Sequence, residues 1–134
     1  MDAAGLSWAH YAVGGTDGIC GNGRSGRGVW IAYWAIQHIC YGPVWDEDVI
    51  SPPQQFLADV KNGELRTVTW VTPTFRNSDE AGSDSGTGPS WVASLVNAVG
   101  ESKYWNSTAI FLSFGTATAR GMIPSPRLTW IMMD

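Results

Sequence analysis

Polar side chains that could bind a metal ion or move a proton gather in one loop of this chain, residues 73–88, which is rich in glycine and serine. These side chains are Asn77, Ser78, Asp79, Glu80 and Asp84. Carboxylate and amide oxygens suit divalent cations, and a carboxylate can act as a general acid or base. The spacing does not match a calcium-binding loop, so a ligand site and a simply solvated acidic loop both remain open interpretations.

Three further patterns carry less chemical information. Residues 21–26 spell G-x-G-x-x-G, but no buried strand directly precedes them, so a glycine-rich surface loop is favoured over a dinucleotide site. The two histidines, His10 and His38, have no partner in a metal or triad pattern. Cys20 and Cys40 fit neither a zinc nor a C-x-x-C pattern, and the sequence leaves open whether they pair.

Eight tryptophans in 134 residues suggest either a well-packed core or a surface that stacks on ligands. Trp30, Trp34 and Trp70 lie inside apolar segments and are predicted to be core residues. Four others stand at segment edges without regular spacing, namely Trp8, Trp45, Trp91 and Trp105. A noncatalytic binding module that uses exposed Trp residues and the acidic loop is therefore the alternative to an enzyme.

The elements that would position the acidic loop follow from hydrophobic periodicity and from turn residues. We predict a short strand within 6–13, a surface loop over 14–28, and a mostly buried helix over 29–40. Ser51 is expected to cap a helix over 54–60, Thr67–Thr72 to form a strand, 89–99 a helix and 108–114 a buried strand. Two strands joined by a helix indicate a parallel crossover, which places the loop at the carboxyl end of a strand, where open α/β sheets bind ligands. No element is predicted after residue 115.

Composition narrows the function further. The chain is 44% hydrophobic and 15% charged, which is typical of a folded domain. A net charge of −4 argues against nucleic-acid binding. We find neither an apolar run long enough to cross a membrane nor a signal-peptide pattern, and the cellular location stays unknown.

Several segments together resemble the bacterial phosphoesterase family, which includes phospholipase C enzymes and related acid phosphatases. The matching segments are 2–8, 35–39, 41–43, 55–60, 68–73, 77–79, 88–100 and 104–112. The resemblance covers residues 2–114. It implies an α/β fold, namely a partial α/β/α layer with a mostly parallel sheet that is a fragment of an alkaline-phosphatase-like fold. It also implies a phosphate-ester or phospholipid substrate.

The same resemblance implies that this chain is inactive alone. The family's metal ligands and hydroxyl nucleophile come from a segment that would precede Met1, and its paired-aspartate motif is replaced by residues 115–120. Glu80 stands where the family has a histidine, next to the expected substrate-loop residues Asn77, Ser78 and Asp79. We therefore expect no metal ligand or cofactor in this fragment, although the family uses a divalent metal.

Two expectations about the whole chain complete the prediction. Residues 1–114 form a phosphoesterase-domain fragment, and 115–134 are a non-family tail that a shifted reading frame could explain. A fragment of a layered fold leaves apolar surface uncovered, so self-association is expected.

Overall fold

A computed structural model describes residues 1–13, 32–78, 83, 86–117 and 125–133. Its strands form one five-stranded sheet in the order β2-β1-β3-β5-β4. The strands are β1 (Trp8–Tyr11), β2 (Val49–Ile50), β3 (Val68–Val71), β4 (Ala109–Ala117) and β5 (Ser125–Met133). Strands β2, β1 and β3 are parallel, whereas β5 runs antiparallel to both β3 and β4. The predicted α/β class is confirmed.

The helices lie on both sides of the parallel strands. They are α1 (Gln37–Cys40), α2 (Pro43–Asp48), α3 (Gln55–Asn62) and α4 (Gly88–Gly100), with short 3-10 turns at Asp2–Ala4, Ala32–Ala35, Phe75–Asn77 and Trp105–Ser107. Helix α3 ends at Gly63, whose φ of 78° is the left-handed conformation that glycine adopts without steric cost. Among the described helices, none is long and apolar enough to cross a membrane.

Alternation along β1 divides the core into two clusters, because successive side chains of a strand point to opposite faces. Ala9 and Tyr11 pack with residues of α3 and α4, among them Phe56, Leu95 and Val99. Trp8 and Ala12 pack on the other face with residues of α1 and α2, including Ile39, Cys40 and Trp45. The parallel strands are therefore covered by helices on both faces, as parallel sheets require.

The predicted elements around the acidic loop are confirmed, with small shifts at their ends. Strands β1 and β3 and helices α3 and α4 lie where the sequence places them. Strand β4 runs in the same direction as β3, because both are antiparallel to β5. However, Ser51 does not begin α3: the residue before the helix is Gln54, which makes no side-chain capping hydrogen bond.

Other predictions about the elements are wrong. The predicted helix over 29–40 is a 3-10 turn followed by α1, interrupted by the extended backbone of Ile36, and its first three residues lie outside the described part. Helix α2 and strand β2 then follow Gly42 within a segment assigned no element. In strand β4, residues 109–113 are exposed or partly buried, because the strand lies at the edge of the sheet with β5 on one side.

The prediction of no element in the tail is also wrong. Residues 125–133 form β5, which inserts between β3 and β4. Its sequence has no clear period of two, because Pro126 and Arg127 interrupt it, and only pairing with two neighbours makes it a strand.

Candidate functional site

The predicted ligand loop begins where β3 ends beside β1. The backbone N–H of Thr72 donates to the carbonyl of Tyr11 at 2.8 Å, which continues the parallel pairing one residue beyond β3. Pro73 follows and is fully buried, and the chain then turns through the 3-10 segment Phe75–Asn77. The loop therefore leaves the carboxyl edge of the parallel strands, as the sequence predicts.

Thr87, the last residue before α4, holds the start of this loop. Its hydroxyl lies 2.7 Å from Oδ1 of Asn77 and 3.0 Å from the carbonyl oxygen of Arg76, so its proton is shared between the two acceptors. The Asn77 oxygen is thus an acceptor for Thr87, and its amide NH₂ is the group that can donate to a ligand. The contact brings Asn77 to the N-terminus of α4.

Ser78 has a structural role in the described geometry. It is 2% exposed, and its hydroxyl donates to the carbonyl of Phe75 at 2.7 Å. The Ser78 backbone N–H donates to the same carbonyl at 3.2 Å, so the side chain and the main chain of Ser78 together close the 3-10 turn. A hydroxyl directed into a backbone carbonyl is poorly placed to contact a substrate.

Asp79 and Glu80 lie outside the described residues, and so does Asp84. The structure thus brings together Asn77 and Ser78 at the start of the loop, while the assignments of Asp79 to the substrate loop and of Glu80 to the family histidine position stay predictions. The glycine-rich segment 21–26 also lies outside the described part.

His10 has a partner that sequence reasoning missed. Its Nε2 lies 2.7 Å from Oγ1 of Thr72, 62 residues away in sequence, and both side chains are buried. The buried Nδ1 makes no hydrogen bond. Burial lowers the pKa of His10 from 6.5 to about 4, because a charged imidazole would lose its hydration without gaining an acceptor at Nδ1. The sequence contains one indication of this pair, because His10 and Thr72 each lie near the carboxyl end of a predicted strand.

Aromatic rings surround His10 on the same face of the sheet. The Tyr33 ring centroid lies 5.3 Å from those of both Trp8 and His10, and 6.4 Å from that of Trp70. The Trp8 and Trp70 rings meet edge to face at 6.3 Å. Burial raises the pKa of Tyr33. This cluster packs the 3-10 turn Ala32–Ala35 against β1 and β3.

A second buried polar contact fixes α3 on the opposite face. The Tyr11 hydroxyl donates to Oδ2 of Asp59 at 2.6 Å, and Nε2 of Gln55 donates to Oδ1 of the same carboxylate at 2.8 Å. Burial, followed by the hydrogen bond to Asp59, raises the pKa of Tyr11 well above its usual value. The carboxylate is thus satisfied inside the protein and ties α3 to the end of β1.

Exposed tryptophans do not form a row in the described structure. Trp8 and Trp45 are each 4% exposed, which contradicts the idea that these segment-edge residues are available for stacking. Trp70 and Trp91 are partly buried, and of the tryptophans whose side chains are described, Trp105 is the exposed one. Trp30, which was predicted to be a core residue, lies outside the described residues, and nothing is described of the Trp34 side chain.

Neither histidine belongs to a metal site in the part of the chain that is described. There, no three side chains of His, Cys, Asp or Glu lie close enough together to hold a metal ion. The described residues by themselves therefore form no such site, and the expectation that this fragment holds no metal stays a prediction, because Asp79, Glu80 and Asp84 lie outside them. Cys40 forms a disulfide, and Cys20, the second cysteine of the chain, lies outside the described residues.

An open cavity of about 620 Å³ lies away from the predicted loop. It is formed by the C-terminal ends of α3 and α4, with Lys61, Gly63 and Lys103 among its lining residues. These residues precede β3 and β4, so the cavity is at the amino edge of those strands. Lys103 donates to the carbonyl of Gly63 at 3.3 Å, a favourable position for a cation at the end of a helix.

Comparison with known families identifies one match. The model of the phosphoesterase family matches residues 1–116, which include β1 to β3, the predicted loop, α4 and most of β4. Comparisons with curated proteins and with solved structures find no match. Because the matched region is well over half of the 134 residues, the chain belongs to the phosphoesterase family.

Proposed function

We propose that this chain binds a phosphate ester at the carboxyl edge of its parallel strands and does not hydrolyse it alone. Membership of the phosphoesterase family supports a phosphate-ester hydrolase-like fragment. We further propose that the parent enzymes are phospholipase C-like or acid phosphatase-like proteins with an alkaline-phosphatase-like fold, and that residues 115–134 are not part of the family domain.

The contact between Asn77 and Thr87 carries the binding part of this proposal. It places the donor NH₂ of Asn77 near the first turn of α4, a 13-residue helix. Backbone N–H groups and the positive end of the helix dipole favour anions at such a position, although Pro89 contributes no N–H. Neutral donors beside a helix N-terminus suit the oxygens of a phosphate group.

The engaged hydroxyl groups of the site support the proposed lack of turnover. Ser78 donates to Phe75, Thr87 is shared between Arg76 and Asn77, and Thr72 is paired with the buried His10. A hydroxyl nucleophile needs an adjacent base and access to phosphorus. Ser78 and Thr72 are buried, so neither hydroxyl has ready access to a phosphorus atom, and the Thr87 hydroxyl donates its proton to Asn77 and Arg76. We also propose that the fragment carries no catalytic metal of its own.

Binding can be tested with inorganic phosphate as the probe. We expect phosphate to shift the NMR signals of the Asn77 side-chain amide and of the first turn of α4, and Asn77→Ala to weaken binding about tenfold through loss of a hydrogen bond to a charged group. The matched control is Asn62→Ala, an exposed residue at the end of α3. Signals that do not move with phosphate, or an equal effect of both variants, would contradict the proposed site.

Turnover requires a separate assay. A chromogenic phosphomonoester and a chromogenic phosphodiester, each with and without added divalent metal, distinguish phosphatase-like from phospholipase C-like chemistry. We expect both rates to equal that of heat-denatured protein. Hydrolysis above that background that disappears in Glu80→Ala would show that the chain is an active enzyme and that Glu80 takes part.

A further inference from the structure

Strand β4 forms one edge of the sheet. Its nine residues pair with β5 on one side, and no described strand lies on the other side. An edge strand presents main-chain N–H and C=O groups that can pair with another strand. The opposite edge is different, because β2 is only two residues long and offers little length for pairing.

The side chains of the first five residues of β4, 109–113, leave apolar surface on both faces of this edge. Phe111 is 53% exposed and Leu112 is 42% exposed, and successive residues of a strand point to opposite faces. Ala109 and Ser113 are also exposed, whereas Ile110 packs partly against the core cluster below α4. The edge is therefore apolar and accessible where most of the parallel strands are covered.

The strand lacks the features that usually prevent pairing between sheet edges. No charged residue and no proline occurs from Thr108 to Ala119, although the chain as a whole carries a net charge of −4. Charged side chains, prolines and very short strands are the common safeguards at exposed edges. Two copies of β4 could approach each other without bringing like charges together.

We propose that β4 is the interface between two copies of this chain, which pair antiparallel across a two-fold axis. An antiparallel strand pair has such an axis, so an uncharged edge strand is complementary to itself. Pairing along the whole strand extends about 30 Å. The short β2 edge stops the sheet from growing further, which gives a closed dimer instead of a fibre. This inference does not depend on phosphate binding.

The size of the contact predicts weak association. A single strand pair with a few apolar side chains buries less surface than a standard protein interface. The dimer is therefore expected to form reversibly as the protein concentration rises, and sedimentation velocity of the 134-residue chain should show one species shifting from monomer to dimer.

Variants at matched positions test the strand itself. Leu112→Lys should weaken dimerisation by about tenfold or more, because each copy then contributes one lysine and the two like charges repel each other at the interface. Leu6→Lys is the control, since Leu6 is 43% exposed but precedes β1. A mixture of Leu112→Lys and Leu112→Glu should recover association that neither variant shows alone. Tryptophan fluorescence checks that each variant is folded.

Amide hydrogen exchange of the unmodified protein provides a measurement that needs no variant. Exchange in residues 109–113 should slow as the concentration rises, while exchange in α3 should not change. A protein that stays monomeric at all concentrations, an equal loss of association in Leu6→Lys and Leu112→Lys, or unchanged exchange in β4 would each overturn the proposal.

Discussion

His10 should make the protein sensitive to mild acid. Its folded-state pKa of about 4 lies below the value of 6.5 expected in the unfolded chain, so protons bind preferentially to the unfolded state. The stabilising effect of a neutral His10 is fully present above pH 6.5 and is lost as the pH falls toward 4. Between pH 7 and pH 5 the difference amounts to about 2 kcal/mol of unfolding free energy.

Urea unfolding followed by tryptophan fluorescence measures this effect. The window from pH 7 to pH 5 is chosen because ordinary carboxylates titrate mainly below it. We expect His10→Gln to flatten the pH dependence, whatever its effect on stability at pH 7. If the unmodified protein is equally stable at pH 7 and pH 5, or if His10→Gln keeps the full slope, the reasoning about burial is refuted.

Two further predictions concern stability at neutral pH. Tyr11→Phe removes the 2.6 Å hydrogen bond to a buried carboxylate and should cost about 1.5–3 kcal/mol in urea unfolding, whereas Tyr41→Phe, at an exposed position, should cost nearly nothing. Gly63→Ala should cost about 1–2 kcal/mol, because the φ of 78° is unfavourable for alanine. Gly100→Ala at the end of α4, where an added Cβ meets Trp105 at an ordinary 3.9 Å, should be neutral or slightly stabilising. Equal effects within either pair would contradict the assigned contacts.

The sequence predicts an element well where the segment itself contains the residues that favour the element and the residues that end it. Strand β3 is rich in β-branched residues and ends before Pro73, and α4 has Pro89 in its first turn and ends at Gly100, so the sequence predicts both nearly to their ends. The segment 29–40 misled because a continuous apolar run fits a buried helix as well as two short turns packed on a sheet. The Asn77 position at the carboxyl edge followed from the order strand, loop, helix.

The sequence by itself determined the α/β class, the family, and the place of the candidate loop at the end of β3, because each depends on motifs or periodicity within short segments. Tertiary structure decided the rest. Hydrogen bonds between residues distant in sequence join His10 to Thr72 and Tyr11 to Asp59, and no local pattern encodes such partners. Likewise, β5 becomes a strand by pairing between β3 and β4, and this insertion moves β4 to the exposed edge of the sheet.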